Sequence, residues 1–262
     1  MITISQLNIY PIKSCRGVSL QSAQLEERGL QYDRRWMLVD GQQRFLTQRE
    51  WPRMALIAVE IKSDHLRVSA PAMPPLSVPI RSVGNQHQLV NVWADHVLAA
   101  DVGDDAGGWF SEFLGLPCRL VHMPDTAERV ATRKGVSSQV SFADAYPLLL
   151  ISEASLAELN SRLDEPLPMK RFRPNLVVRG CTPYEEDTWN KIVAGGVTLH
   201  VVKPCTRCVI PTIDPDTGIK SKEPTRTLAT YRARDGKVMF GQNVIHEGMG
   251  RLCVGEEGKI VK

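Results

Sequence analysis

The chain has 262 residues, enough for one large domain or two small ones and for a sizeable apolar core. Hydrophobic residues make up 43% and charged residues 23%, which excludes a disordered or collagen-like chain. Thirty-two Lys and Arg against 29 Asp and Glu leave a net charge of +3, too mild for a nucleic-acid binder but compatible with a local anion pocket. No stretch approaches the about 18 apolar residues of a membrane span. The start, MITISQLNIYPIK, reads as a strand and lacks the charged and apolar regions of a signal peptide. Six cysteines are too few for a disulfide scaffold in a chain this long, so a reducing cytoplasm is the simplest setting.

Along the chain, apolar runs are short and often alternate. TISQLNIYPI, RRWMLVD, HLRVSA, HQLVNVW, NLVVRG, VTLHVV and GKVMFGQNVI read as strands. Asp40-Gly41 and Asp235-Gly236 are hairpin turn signals. Helices are few. Asp104 to Leu114 puts Trp109, Phe110, Phe113 and Leu114 on one face, with Gly115 as a stop. Ser152 suits the N-cap of SEASLAELNSRL, where Glu153 complements the helix dipole and Leu156, Leu159 and Leu163 form a stripe. A third, shorter helix is expected over Pro224 to Arg232. The polar stretch Met123 to Gln139, with little periodicity, is the best boundary between an N-terminal unit, 1–122, and a C-terminal unit, 123–262. It also reads as a loop over a site.

The sharpest local feature is the run from Lys203 to Gly218, KPCTRCVIPTIDPDTG, with Cys205 and Cys208 as CxxC. A zinc site needs four ligands, and neither a second CxxC nor a His pair at metal spacing exists. A redox dithiol needs a helix after the CxxC, and Pro211 and the DPDTG turn come too soon. A single thiolate on a soft metal centre is the third reading. Arg207 beside Cys208 favours it, because a neighbouring positive charge lowers a thiol pKa. The plain alternative is two small buried hydrophobes at a strand end.

Basic motifs form the second feature: Lys13-Ser14 after the first strand, Asp33-Arg34-Arg35-Trp36, Thr47-Gln48-Arg49, and Lys170-Arg171-Phe172-Arg173-Pro174-Asn175. At strand ends from both halves, such residues suit one anionic ligand; taken singly, each reads as a solvated charge. GxSxG, GxxxxGK[ST], GxGxxG and HExxH are missing, and the six His are scattered. The acids Glu185, Glu186 and Asp187, and Asp104 with Asp105, read as loop or helix-start residues.

Together, YPIKSCRG, YDRRWMLV, TQRE, SFADAYPLLLISEASLAELN, KRFRPNLVVRG, EEDTW, VKPCTRCVIPTIDPDTG and FGQN occur in an order that resembles the MOSC-domain proteins with an N-terminal MOSC β-barrel region. The likeness is greatest to the mitochondrial amidoxime-reducing component and to bacterial reductases of N-hydroxylated base analogues. It runs from about Ile4 to about Val261. It implies an α+β, β-dominated fold: an N-terminal barrel-like region packed on a C-terminal MOSC β-barrel, with a few short helices. It also implies a molybdenum cofactor between the halves, and pyridoxal phosphate is a further family-level association.

Carried over by motif, Cys208 matches the molybdenum ligand and the catalytic centre, with Thr206 and Arg207 its cofactor-contacting neighbours. Lys13, Ser14 and Arg34 match the pterin-phosphate contacts, and Arg173 and Asn175 the pterin side. Asp144, Ala145 and Tyr146 fall on a cofactor-contacting turn. Ala145-Tyr146 departs from the small hydroxylated residues of the family there, which leaves backbone contacts. The implied activity is two-electron reduction of N–OH or N-oxide bonds in small N-hydroxylated substrates. The chain shows neither a ferredoxin-like domain nor a membrane anchor. The expectation is therefore a cytoplasmic protein, without nucleic acid or membrane partners, fed by a separate ferredoxin-, flavoprotein- or cytochrome b5-like donor. A cofactor or sulfur carrier without turnover is the competing expectation.

Overall fold

The computed structural model describes residues 1–80 and 87–261. Its main body is a closed barrel of seven strands. Around the barrel run Leu148–Ser152, Leu176–Arg179, Ile2–Ile9, Glu257–Val261, Lys191–Ala194, Val197–Thr206 and Lys237–Glu247. The last pairs back to the first through Leu150 and Gln242. All neighbouring pairs are antiparallel except Leu148–Ser152 with Leu176–Arg179. The first strand of the chain thus sits between strands from its C-terminal half.

Strand alternation divides inside from outside. Ile2, Ile4, Leu7, Ile9, Leu150, Leu176, Val178, Leu199, Val201 and Val244 fill the barrel. Their neighbours Ile151, Val177 and Phe240 face outward, where they bury Leu159 and Leu228 of two short helices. Those helices, Glu153–Asn160 and Thr225–Tyr231, match the expected positions. Ser152 caps the first as anticipated, its hydroxyl accepting from the Ser155 N–H.

The N-terminal portion is built on a four-stranded sheet in the order Trp36–Val39, Arg119–His122, Asp95–Asp101, His87–Val92. Both of its faces are covered, so WMLV is buried at every position. Trp36 and Leu38 pack under helix Asp104–Leu114, whose Trp109, Phe110 and Phe113 form the expected face. Met37 and Val39 pack on Phe142 and Met123. Gly115 ends that helix in the left-handed conformation, φ 73°, that favours glycine.

The structure refines several expectations. VTLHVV continues through Pro204 to Thr206, so the strand delivers its own end to the CxxC. The Asp40-Gly41 turn closes on a single bridge, Val39 to Phe45, because the ladder partner of Trp36–Val39 is Arg119–His122. Asp235-Gly236, at φ 50° and 71°, turns the chain tightly between Arg234 and Lys237. The polar stretch 123–139 contains a hairpin, Val130–Arg133 with Val136–Gln139. Its apolar residues were too few to show a period, and its anchors are polar: Ser138 reaches Glu27 and His246, and Lys134 reaches the Val201 carbonyl.

Candidate active site

The Lys13-Ser14 turn leaves the first strand and lies against Asp33–Trp36. Lys13 N–H donates to the Trp36 carbonyl, and Arg34 N–H to that of Tyr10. The Arg34 carbonyl accepts from Phe142 N–H, which fixes the 142–144 turn beside both. Arg173 and Asn175 stand at the start of strand Leu176–Arg179. Thr206, Arg207 and Cys208 leave the end of Val197–Thr206. These segments wall one cleft of about 270 Å³, and all eleven residues carried over by motif line it.

Among the described residues, six cationic side chains line this cleft (Lys13, Arg34, Arg49, Arg173, Lys203 and Arg207) against one carboxylate, Asp144. Lys13 is 5% exposed and donates to Asp144 and to the Phe142 carbonyl. Burial pulls its pKa down, while Asp144 pulls it up. Burial alone would raise the Asp144 pKa, but Lys13 and Arg49 together hold it well below the usual carboxylate range. Arg34 is paired with Asp33. Arg173 and Arg207 have no carboxylate partner among the described residues. Arg173 donates to the Cys15 carbonyl at 2.7 Å, and Arg207 to the Phe172 carbonyl at 2.8 Å. The buried Arg207 Nε has no hydrogen-bond partner among the described residues. Half-buried guanidinium groups without a paired carboxylate suit an anion.

The backbone agrees. Ser14, Arg34 and Arg173 hold left-handed conformations, φ 66°, 49° and 58°. Each costs on the order of 1–3 kcal/mol for a residue with a side chain, and such strain gathers at binding sites. Asn175 plays a different part. It is 1% exposed and its amide is fully engaged: Oδ1 accepts from Leu149 N–H and from Arg34, and Nδ2 donates to the Asn8 carbonyl. It positions Arg34 from the barrel wall.

Cys208 is partly exposed in the cleft, its sulfur accepting from the Ile210 N–H at 3.5 Å. Arg207 does not turn toward it. That guanidinium donates to Cys205 Sγ at 3.2 Å instead, because the strand end points residues 205 and 207 to one side. The guanidinium beside Cys208 is Arg49, which hydrogen-bonds Asp144; burial would lower its pKa, and Asp144 and Cys208 raise it. Read singly in TQRE, Arg49 looked like a solvated charge; the order of the motifs was its only signal. Arg129, within the polar stretch 123–139, is 8% exposed. It donates to the carbonyls of Ser141, Ala143 and Asp144 and pairs with Asp95, clamping the turn that carries Asp144. Tyr146 packs on Ala131, Val140 and Ala143 at the cleft wall.

Residues 1–117 match the MOSC N-terminal beta barrel domain and residues 137–259 the MOSC domain. The chain is 39% identical to mitochondrial amidoxime-reducing component 1 of Mus musculus, over 97% of this chain and 81% of that protein. The chain belongs to this MOSC family. The Homo sapiens component 1 is 37% identical over the same shares of the two chains. The molybdenum cofactor sulfurase of Oryza sativa subsp. japonica is 35% identical over 92% of this chain but only 32% of its own length.

The donor set of this MOSC chain fits a group with an anionic tail and a soft metal. Two partly exposed sulfurs, those of Cys205 and Cys208, line the cleft, and guanidinium groups without a carboxylate partner among the described residues share it. A zinc site is a poor fit, since no group of three or more His, Cys, Asp or Glu converges among the described residues. No helix among them is long and apolar enough to cross a membrane.

Proposed function

We propose that this protein is a molybdenum-cofactor-dependent reductase of N-hydroxylated compounds. The observation that carries the reading is the partly exposed Cys208 sulfur in a cleft whose Arg173 and Arg207 lack carboxylate partners. Cys208 is the thiolate ligand in this reading. Arg49 and the Ile210 N–H lie beside its sulfur. Lys13, Ser14, Arg34, Arg173 and Arg207 hold the pterin and its phosphate, the guanidiniums by forked contacts. Thr206 lies at the cofactor's edge, and the turn from Asp144 to Tyr146 contributes backbone groups. Asn175 keeps Arg34 in place.

When bound, the cofactor supplies the two electrons that breaking the N–O bond consumes. With two protons the N–O bond breaks: one proton joins the departing hydroxyl, which leaves as water, and the other forms a new N–H bond. The electrons come from a separate donor protein of ferredoxin, flavoprotein or cytochrome b5 type. Pyridoxal phosphate has no place in this reading, because Lys13, the buried lysine of the cleft, is engaged with Asp144 and the Phe142 carbonyl.

The test is a metal and pterin assay on protein made in a host with an intact cofactor pathway, wild type beside Cys208→Ala. Near-stoichiometric molybdenum in wild type, with benzamidoxime reduced by a competent donor, is the expected result. Bound cofactor without reduction of any N-hydroxylated substrate would replace the reading with that of a carrier.

A further inference from the structure

The strands His87–Val92 and Asp95–Asp101 are joined by a loop of two residues, Trp93 and Ala94. Trp93 holds φ 59° there. The first position of such a loop favours glycine when φ is positive, and a bulky side chain in that conformation is a costly exception. The ring gains little from burial in return, being 54% exposed. Yet it is held firmly. Phe45 meets it edge-on at 5.1 Å, the Arg49 guanidinium lies over it at 4.8 Å, and its Nε1–H donates to Asp144 at 3.4 Å. Arg49 and Asp144 both line the cleft of Cys208, and Arg49 touches Cys208 itself. A half-exposed indole is thus fixed, at the expense of backbone strain, against two residues of the cleft wall, Arg49 and Asp144. Strain kept at such a place, without burial to repay it, points to binding.

We propose that Trp93 is a specificity-determining platform on which the aromatic ring of a planar N-hydroxylated substrate stacks while its N–OH group enters the cleft. The inference rests on the reductase reading above and adds to it a residue that favours ring-bearing over aliphatic N-hydroxy substrates. An indole offers a large rigid face at low entropic cost, and offset ring pairs are selective for flat partners. Arg49 covers one face of the indole.

The experiment compares benzamidoxime with acetamidoxime, which carries the same reacting group without a ring, on the holoenzyme with a competent electron donor. Trp93→Ala should raise KM for benzamidoxime about 3–10-fold, the span that ring stacking supplies. KM for acetamidoxime should change less than about twofold, as should kcat for both, and Trp93→Phe should restore most of the difference. A second readout needs no turnover. Trp93 is the largely exposed tryptophan among the described residues, so saturable quenching of protein fluorescence by benzamidoxime should vanish in Trp93→Ala. Trp93→Asn, which accepts the left-handed turn, should keep the wild-type Tm within a few degrees. Equal KM changes for both substrates, a fall in kcat for both, or quenching that survives Trp93→Ala would overturn the proposal, as would a large Tm loss in Trp93→Asn. Wild type that reduces neither substrate would instead defeat the reductase reading, while the quenching arm would still decide on the platform.

Discussion

Arg34 and Arg173 lie over one ring: their guanidinium carbons stand 4.4 and 4.1 Å from the centroid of Tyr10. Both hold left-handed backbone. Burial, with Arg34 nearby, pulls the Arg173 pKa down to about 10, and burial pushes that of the Tyr10 hydroxyl up to about 12. Two like charges drawn from water and set on strained backbone make a site that is costly when empty and favourable when an anion arrives.

Arg173→Gly should therefore stabilise the empty protein while weakening the site. Glycine takes φ 58° without strain and removes the unpaired charge. We expect the Tm of the cofactor-free protein to rise by about 2–4 °C, corresponding to about 1 kcal/mol. Pterin retained through gel filtration should fall at least about tenfold. Calorimetry and a pterin assay on the same samples check both halves.

Cys208→Ser should abolish reduction of N-hydroxylated substrates, by at least about 100-fold, with Tm changed by no more than a few degrees. The side chain is partly exposed, and its sulfur accepts from the Ile210 N–H. Cys205→Ala should be milder, because it removes only the sulfur that accepts from Arg207. Parallel activity and circular dichroism measurements separate loss of chemistry from loss of fold.

Asp144 makes stability pH-dependent at the acid end. A carboxyl whose folded pKa lies below its unfolded value, about 3.9, adds stability above that pH and loses it as the pH falls toward the folded value. Lys13 and Arg49 impose that depression here. Between about pH 4 and pH 2, wild-type Tm should fall more steeply than that of Asp144→Asn. Asp144→Asn should in turn be less stable at neutral pH, where Lys13 and Arg49 have lost their partner. Thermal melts across this range give the two slopes.

Gly241→Ala should open the barrel seam. Gly241 holds φ 79°, and an added Cβ would lie 2.6 Å from Ile151 Cγ1 and 2.9 Å from the Leu150 carbonyl oxygen. The backbone oxygen has nowhere to go, because Leu150 pairs with Gln242 across the seam. A loss of about 3 kcal/mol or more is expected in urea unfolding, from strain and overpacking together.

Much of the molecule could be read along the chain because its causes are local. Alternation marked the strands, Ser152 and Gly115 marked helix ends, and Asp235-Gly236 marked a turn. Each depends on residues within a few positions of one another. The motifs likewise singled out residues that the structure gathers around one cleft. What folding in three dimensions decided was their partnership. Closure of the barrel brings Ile2–Ile9 between Leu176–Arg179 and Glu257–Val261, pairings between segments far apart in sequence whose register no local pattern encodes. Packing of distant segments, the barrel and the N-terminal sheet alike, sets Arg49 rather than Arg207 beside Cys208, commits Asn175 to Arg34, buries Arg129 under Asp144 and holds Trp93 against Arg49 and Asp144. A charge on a strand end looks the same in sequence whether it meets water or a counter-ion. Its meaning is fixed by the dielectric and the neighbours it receives when distant strands meet.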